Sequence, residues 1–333
     1  MQIFVPLQQK VIRITVTSIT IVKFSITIPS YKTLYLKEAI ESVIGQTYTD
    51  WELVIVDDCS PEDIAGVVKP YLADNRVRYY RNEKNCGAEN VVDNWNICLN
   101  YCMGDYVICI GDDDRLLPCC LEEYKKLIEK YPDLNVYHTR TEIIDENGNL
   151  KNIQEQRPEW ESVLSMIWNR WDHRNRQYIG DFCYRKKYLV KTGGYYKLPL
   201  AWGADDITAV LAAKEKGIAN TQTFGFQYRE NRHTISSSTA NAKLKIQVRK
   251  TQYDWYNNFL KNLKQEDLNG EDSRYLSTIE PCCDQYFFEA LDNDCPCYIK
   301  GNPMRALWCY RQLTGFHYPI KNYFRWYLKS FIA

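Results

Sequence analysis

GDYVICIGDDDRLLP, residues 104–118, decides how the chain is read: an apolar run from Tyr106 to Ile110 stops at Gly111 and three adjacent aspartates, Asp112, Asp113 and Asp114. A short apolar run bounded by glycine and aspartate is the pattern of a buried strand. Three neighbouring carboxylates repel one another, and a cation or a cluster of donors among them relieves that repulsion. Oxygen-only ligands favour Mg²⁺ or Mn²⁺, which take one or two protein carboxylates and fill the shell with phosphate and water. Taken alone, the segment also fits a solvated acidic turn at the start of the helix that Pro118 opens.

Working outward, the same arrangement recurs. FSITIP (24–29) precedes a helical pattern over 33–46, with Leu36, Ala39, Ile40, Val43 and Ile44 at three-and-four spacing, and WELVIV (51–56) ends in Asp57 and Asp58. Helical patterns follow from Pro61 to about Leu72, around 89–102 and over 118–131, with strand-like runs at 76–81 and 134–138. DENGNL (145–150) has the Asn-Gly step of a hairpin turn. Strands alternating with helices at this interval predict an α/β fold with a mostly parallel sheet flanked by helices. In such sheets ligands bind beyond the carboxyl ends of the strands, so the loops after Pro29, Val56 and Ile110 are expected to face one crevice. A carboxylate fixed at the end of WELVIV can accept from a nucleobase N–H, or Ser60 and Asp63 can simply cap the next helix.

Composition sets outer limits. With 333 residues, 45% hydrophobic and 25% charged, the chain is an ordinary globular one. Forty-two basic residues balance forty-two acidic ones, which argues against a protein that wraps nucleic acid along its whole surface. The thirteen cysteines are scattered, and no secretory leader pattern stands at the start, so they are read as reduced thiols of a cytoplasmic protein. Cys282, Cys283, Cys295 and Cys297 lack CxxC spacing, which argues against zinc. Residues 11–28 are broken by Arg13 and Lys23 and read as β, not as a membrane span; residues 1–22 are an extension with no assigned role.

FSITIPSYK, LKEAIESVIGQTYTDWELVIVDDCSPED, NEKNCGAENVVDNWN and GDYVICIGDDDRLLP, in that order and spacing, resemble family 2 glycosyltransferases of the GT-A, Rossmann-like fold across about residues 24–235. The resemblance implies a nucleoside-diphosphate-sugar donor (a UDP-sugar above others), a divalent metal at its phosphates and inversion by single displacement. It places Pro29, Ser30 and Tyr31 beside the nucleoside, Asp58 on the base, and Asn85, Gly87 and Asn94 along the nucleotide. The aspartate run matches the DXD motif, with Asp113 at the metal position and Asp112 and Asp114 beside it; many members carry an acid where this chain has Gly111.

Displacement by a sugar hydroxyl needs a base opposite the leaving diphosphate, and a carboxylate is the usual instrument. Trp202-Gly203-Ala204-Asp205-Asp206, ahead of a helical run to Gly217, resembles the family's Glu-Asp motif, which puts Asp206 at the catalytic position and Asp205 at the preceding acid. His233 resembles a basic residue that approaches the metal or diphosphate, Arg229 and Arg232 are candidate phosphate donors, and Arg185 and Lys186 are expected near the donor phosphates.

The domains expected are a catalytic unit over 23–240 and a C-terminal helical region over 241–333. From Cys295 onward the latter has six Lys/Arg, no acid and ten aromatics, a composition suited to a membrane surface or to a helical cap with a basic rim. The function read is transfer of a sugar to a glycan or lipid-linked acceptor in cell-surface polysaccharide synthesis, at the inner face of the membrane and without nucleic acid. Two alternatives stand beside it. A sugar nucleotidyltransferase would need a Gly-rich phosphate loop near the first strand, which is missing, and a non-catalytic nucleotide-sugar- or glycan-binding protein would need neither Asp113 nor Asp206.

Overall fold

The computed structural model describes residues 22–231, 241–263, 268, 270–316 and 318–332. His233, Arg232 and all of the N-terminal extension except Val22 lie outside them.

The first half is a run of strand–helix units. Strand β1 (Phe24–Ser30) leads to α1 (Leu36–Ile44), β2 (Trp51–Asp57), α2 (Ile64–Val68), β3 (Val77–Arg81), α3 (Val91–Tyr101) and β4 (Tyr106–Cys109). A two-residue β5 (Arg115–Leu116) follows, then α4 (Cys120–Lys130), β6 (Val136–Ile144), β7 (Leu150–Ile153), β8 (Trp160–Glu161), α5 (Val163–Trp171), β9 (Phe182–Arg185), α6 (Lys186–Lys191), α7 (Ala204–Ala213) and β10 (Ile218–Arg229). Four helices close the chain: α8 (Ala242–Lys261), α9 (Ile279–Ile299), α10 (Pro303–Gln312) and α11 (Ile320–Lys329).

The sheet runs β3-β2-β1-β4-β9-β6-β10-β5, with β7 on β6 and β8 on β10. β1, β2, β3 and β4 are parallel, β6 and β10 are parallel, and β9 lies antiparallel between β4 and β6. Since β9 opposes both neighbours, β6 and β10 point the same way as β4, and Ser30, Asp57, Cys109, Ile144 and Arg229 end on one edge of the sheet. That edge is where the sequence places its acidic residues. Two strand features escape the sequence reading. β9 is only four residues inside an irregular aromatic stretch, and β10 is twelve residues broken by register shifts around Phe224 that interrupt its alternation.

Helices form where the apolar spacing predicts, with ends set locally. In α1, Leu36, Ala39, Ile40 and Val43 are all buried against the sheet. The helix expected from Pro61 is shorter: Asp63 caps it by accepting from the Gly66 amide at 2.9 Å, and it tightens into a 3₁₀ turn over Lys69–Ala73, where Pro70 stands. The C-terminal helices share one hydrophobic core with α3, α5 and α7: Tyr253, Tyr256, Phe287 and Leu291 pack with Trp171, Ile207 and Val210. The sheet's other face holds a second core around Phe24, Ile26, Leu53, Tyr124 and Phe226.

Candidate active site

The strand ends enclose a cavity of about 800 Å³. Pro29, Ser30, Tyr31, Asp58, Asn85, Gly87, Asn94, the three aspartates, Asp205 and Asp206 line it, as expected from the sequence, whereas Arg185, Lys186 and Arg229 do not.

The two aspartates after β2 divide the work. Asp57 is buried and held by Arg81, by the Tyr79 hydroxyl at 2.8 Å and by the Ser60 amide at 2.7 Å. Asp58 faces the cavity. Its carboxylate accepts from Asn82 Nδ2 at 2.8 Å and the Cys86 amide at 3.0 Å, while Asn85 Nδ2 donates to its carbonyl at 2.7 Å. The two aspartate side chains point apart as successive residues of a strand do, and Cys59 then takes a left-handed φ of 51° that turns the chain. The Ser60 hydroxyl donates to the Tyr31 carbonyl at 2.6 Å, tying this loop to the one after β1.

Asp112, Asp113 and Asp114 are not a simple exposed turn. Asp112 Oδ2 accepts from the backbone amides of Tyr31 and Lys32 at 2.7 and 2.8 Å, so it clamps the β1 loop. Asp113 Oδ2 accepts from Asn231 Nδ2 at 2.7 Å, and Asp114 Oδ1 accepts from the Arg229 amide at 2.9 Å. Burial, then the neighbouring Asp113 charge, pushes Asp112 up to about 6 and Asp114 well above the usual carboxylate range; Asp113 is raised too, by burial. The free oxygens converge. A Cβ built on Gly111 would lie 2.7 Å from Asp113 Oδ1 and 2.9 Å from Asp114 Oδ2, so these carboxylates occupy the space an acidic side chain at position 111 would need. Among the described residues no group of three or more His, Cys, Asp or Glu side chains forms a complete metal site. Two converging, charge-strained carboxylate oxygens nonetheless fit a hard divalent cation that draws its remaining ligands from phosphate and water.

Arg229 is not available to phosphate. It is 1% exposed, and its guanidinium donates to the Asp113 carbonyl at 2.8 Å, the Glu146 carbonyl at 3.2 Å and Glu38 Oε2 at 2.6 Å. It is a buttress behind the aspartates, built into the last residue of β10. Arg185 and Lys186 also sit elsewhere: Arg185 donates to the Leu134 carbonyl at 3.1 Å, and Lys186 donates to the Cys102 carbonyl. Because β9 runs antiparallel, its end lies at the opposite edge of the sheet from the cavity.

On the other wall, α7 presents Asp205 and Asp206 in its first turn, after a strained loop. Leu200 and Ala201 have φ of 62° and 53°, and Gly203 has φ 75°. Gln252 of α8 pins this loop by donating to the Trp202 carbonyl at 2.6 Å. Asp206 Oδ1 accepts from Arg170 Nε at 3.1 Å, and Asp205 Oδ1 accepts from the Asp206 amide at 2.9 Å. Burial, then the Asp206 charge, drives Asp205 well above the usual carboxylate range. Burial opposes the charge of Arg170, but Asp206 more than offsets it and the guanidinium stays cationic. Burial thus raises the Asp205 carboxyl, while Asp206 stands in an ion pair with Arg170.

Arg170 was invisible in the sequence. It sits in the last turn of α5 within NRWDHRNR, where nothing distinguishes it from Arg174 or Arg176. The same holds for Tyr286 of α9 and Arg249 of α8, which complete the cavity from the C-terminal helices. A second, open cleft of about 970 Å³ adjoins the first. It shares Arg170, Gln177, Tyr178, Trp202, Tyr228 and Arg249 with it and is otherwise lined by Asp145, Lys151, Arg176 and Glu230 among others. The Tyr178 and Tyr228 rings stack at 3.9 Å between the two.

Solved structures share this architecture. TarS of S. aureus, residues 1–349, crystallised in complex with UDP-GlcNAc, matches with a TM-score of 0.62 and 17% identity, over 92% of this chain and 90% of that one. The protein has the GT-A fold of sugar transferases. The profile of Glycosyl transferase family 2 matches residues 25–194, just over half of the chain, and the chain belongs to that family. EpsE of Bacillus subtilis is 32% identical over 115 residues, 34% of this chain and 40% of that protein. Chondroitin synthase of Escherichia coli is 33% identical over 132 residues, 38% of this chain and 18% of that protein. The aligned part thus spans less than half the length of these relatives.

Proposed function

We propose that the protein transfers a sugar, with inversion, from a nucleoside-diphosphate-sugar, a UDP-sugar, to a hydroxyl of a glycan or lipid-linked acceptor in cell-surface polysaccharide synthesis on the cytoplasmic side. The observation that carries this reading is the convergence of Asp58, the aspartate triplet and Asp206 on one cavity from three distant parts of the chain. The nucleotide lies along the ends of β1 and β2, with Asp58 accepting from the base and Asn85 and Asn94 bordering it. A divalent cation held by Asp113 and Asp114 would supply positive charge to the departing diphosphate. His233, outside the described residues, is a further ligand in this proposal.

Asp206 takes the acceptor's proton as the new bond forms. Arg170 occupies Oδ1 and leaves Oδ2 without a hydrogen bond among the described residues, so that oxygen is the one that faces the acceptor. The acceptor approaches through the open cleft, past the Tyr178–Tyr228 stack, and meets Asp206 across from the diphosphate. Asp206→Asn tests this. Release of nucleoside diphosphate in the presence of acceptor should fall by about 10²–10⁴-fold while nucleotide-sugar binding is retained; equal turnover by the variant would remove Asp206 from the reaction.

A further inference from the structure

The last two helices carry a surface that the transfer reaction does not use. On α11, Ile320, Phe324 and Leu328 follow at intervals of four and continue to Ile332, and they are 62%, 64%, 68% and 90% exposed. Residues four apart form one stripe on a helix. Lys321, Arg325 and Lys329 repeat the same interval one position later, so a basic stripe runs beside the apolar one.

The orientation of α11 is fixed from behind. Trp326, fully buried, lies about 200° around the helix from Phe324. Its Nε1 donates to Asp292 Oδ1 of α9 at 3.0 Å, and Asp292 Oδ2 also accepts from Arg325 at 2.9 Å and from Lys329. The exposed stripe is therefore not a frayed end. α10 packs against α11 and carries Met304, 70% exposed, next to Arg305 in the sequence. No acid occurs from Cys295 to the end of the chain, against six Lys/Arg. Among the described residues no helix is long and apolar enough to cross a membrane.

We propose that the α10–α11 face docks on an anionic membrane surface, with Ile320, Phe324, Leu328, Phe331 and Ile332 entering the headgroup boundary and Lys321 and Arg305 meeting lipid charge, together with Arg325 and Lys329, whose two charges Asp292 offsets by one. Amphipathic helices with a basic flank bind bilayers in this way, and the depth suits side chains and not a span. A second copy of the chain fits less well. Two-fold packing of this face would set its basic stripe against itself, and interface cores are depleted in lysine. The inference stands apart from the transfer reading, because vesicle binding is measured without donor or acceptor. α9 links the two, since it lines the cavity with Tyr286 and holds α11 with Asp292 six residues on, roughly 9 Å along its axis.

The test is co-sedimentation of the full chain with vesicles of phosphatidylcholine alone and of phosphatidylcholine with phosphatidylglycerol. Binding should require phosphatidylglycerol and weaken as salt is raised from about 0.1 M to 1 M, which shortens the screening length from about 10 Å to 3 Å. The double variant Phe324→Ser/Leu328→Ser should lose about tenfold or more in partitioning with an unchanged thermal midpoint, since both side chains are already in water. Equal partitioning of variant and parent, or no binding of the parent to either vesicle, overturns the proposal. A concentration-dependent dimer in sedimentation velocity that the double variant abolishes would assign the face to a second copy instead.

Discussion

At the scale of single residues, the site is a set of charges whose neighbours decide their roles. Asp206 and Asp205 are adjacent in sequence yet differ because one meets Arg170 and the other meets burial and its neighbour's charge. Arg170 lines the cavity and orients Asp206 through their ion pair. Arg170→Met is therefore expected to lower kcat with little change in the KM for the donor and to shift the pH profile of kcat, whereas Arg170→Lys should recover part of the rate; a variant altered only in thermal midpoint would reduce Arg170 to a structural part. His138 offers a clean titration. It is buried 3.4 Å from Asp181, and burial, followed by the charge of Arg157, holds it down to about 4 from 6.5. The unfolded chain then binds more protons than the folded one between these values, so the contribution of His138 is full above about 6.5 and is lost as pH falls toward 4. It amounts to about 3 kcal/mol. Other buried carboxylates titrate in the opposite sense, so the quantity to measure is the difference in unfolding free energy between parent and His138→Gln across this range, which should change by that amount; a flat difference would contradict the assignment.

At the scale of elements, legibility followed local regularity. The first two strands, the helices that cover them and the strand before the aspartate triplet were readable because their apolar periods are unbroken and their ends carry aspartate, glycine or proline. β9 and β10 were not, because antiparallel insertion and register shifts depend on partners far away in the chain. That same insertion misplaced Arg185 and Lys186, whose residue types suggested phosphate but whose strand runs the wrong way. Asp58 and Asp206 were legible through motif resemblance; that Asp57 is structural and Arg229 a buttress depends on contacts no spacing announces. The loop before α7 shows what the site demands of its backbone. A Cβ on Gly203 would stand 1.8 Å from Gln252 Nε2, at a φ of 75° that side chains rarely adopt. Gly203→Ala should destabilise the protein by about 2 kcal/mol or more and displace Asp206, read as a lower unfolding midpoint together with reduced kcat. An unchanged midpoint would mean that the loop is not held as described.

At the scale of the molecule, residues near 30, 58, 112, 206, 249 and 286 meet at one place because parallel strands share an edge and the C-terminal helices close over it. The sequence predicted a change of structure near residue 240 but not that α8 and α9 would supply cavity walls, since no motif marks Arg249 or Tyr286. If the proposed function is right, this cavity takes a nucleotide-sugar with the help of a cation among the aspartates. The direct measurement is the thermal midpoint of the purified protein with UDP-, GDP-, dTDP- and CMP-sugars, each with and without Mn²⁺. A ligand present at 100 times its Kd stabilises the folded state by about 2.7 kcal/mol, so a rise for the UDP-sugar that needs Mn²⁺ and disappears in Asp113→Asn is the expected result. No rise with any donor, or a rise indifferent to both the metal and Asp113, would contradict it.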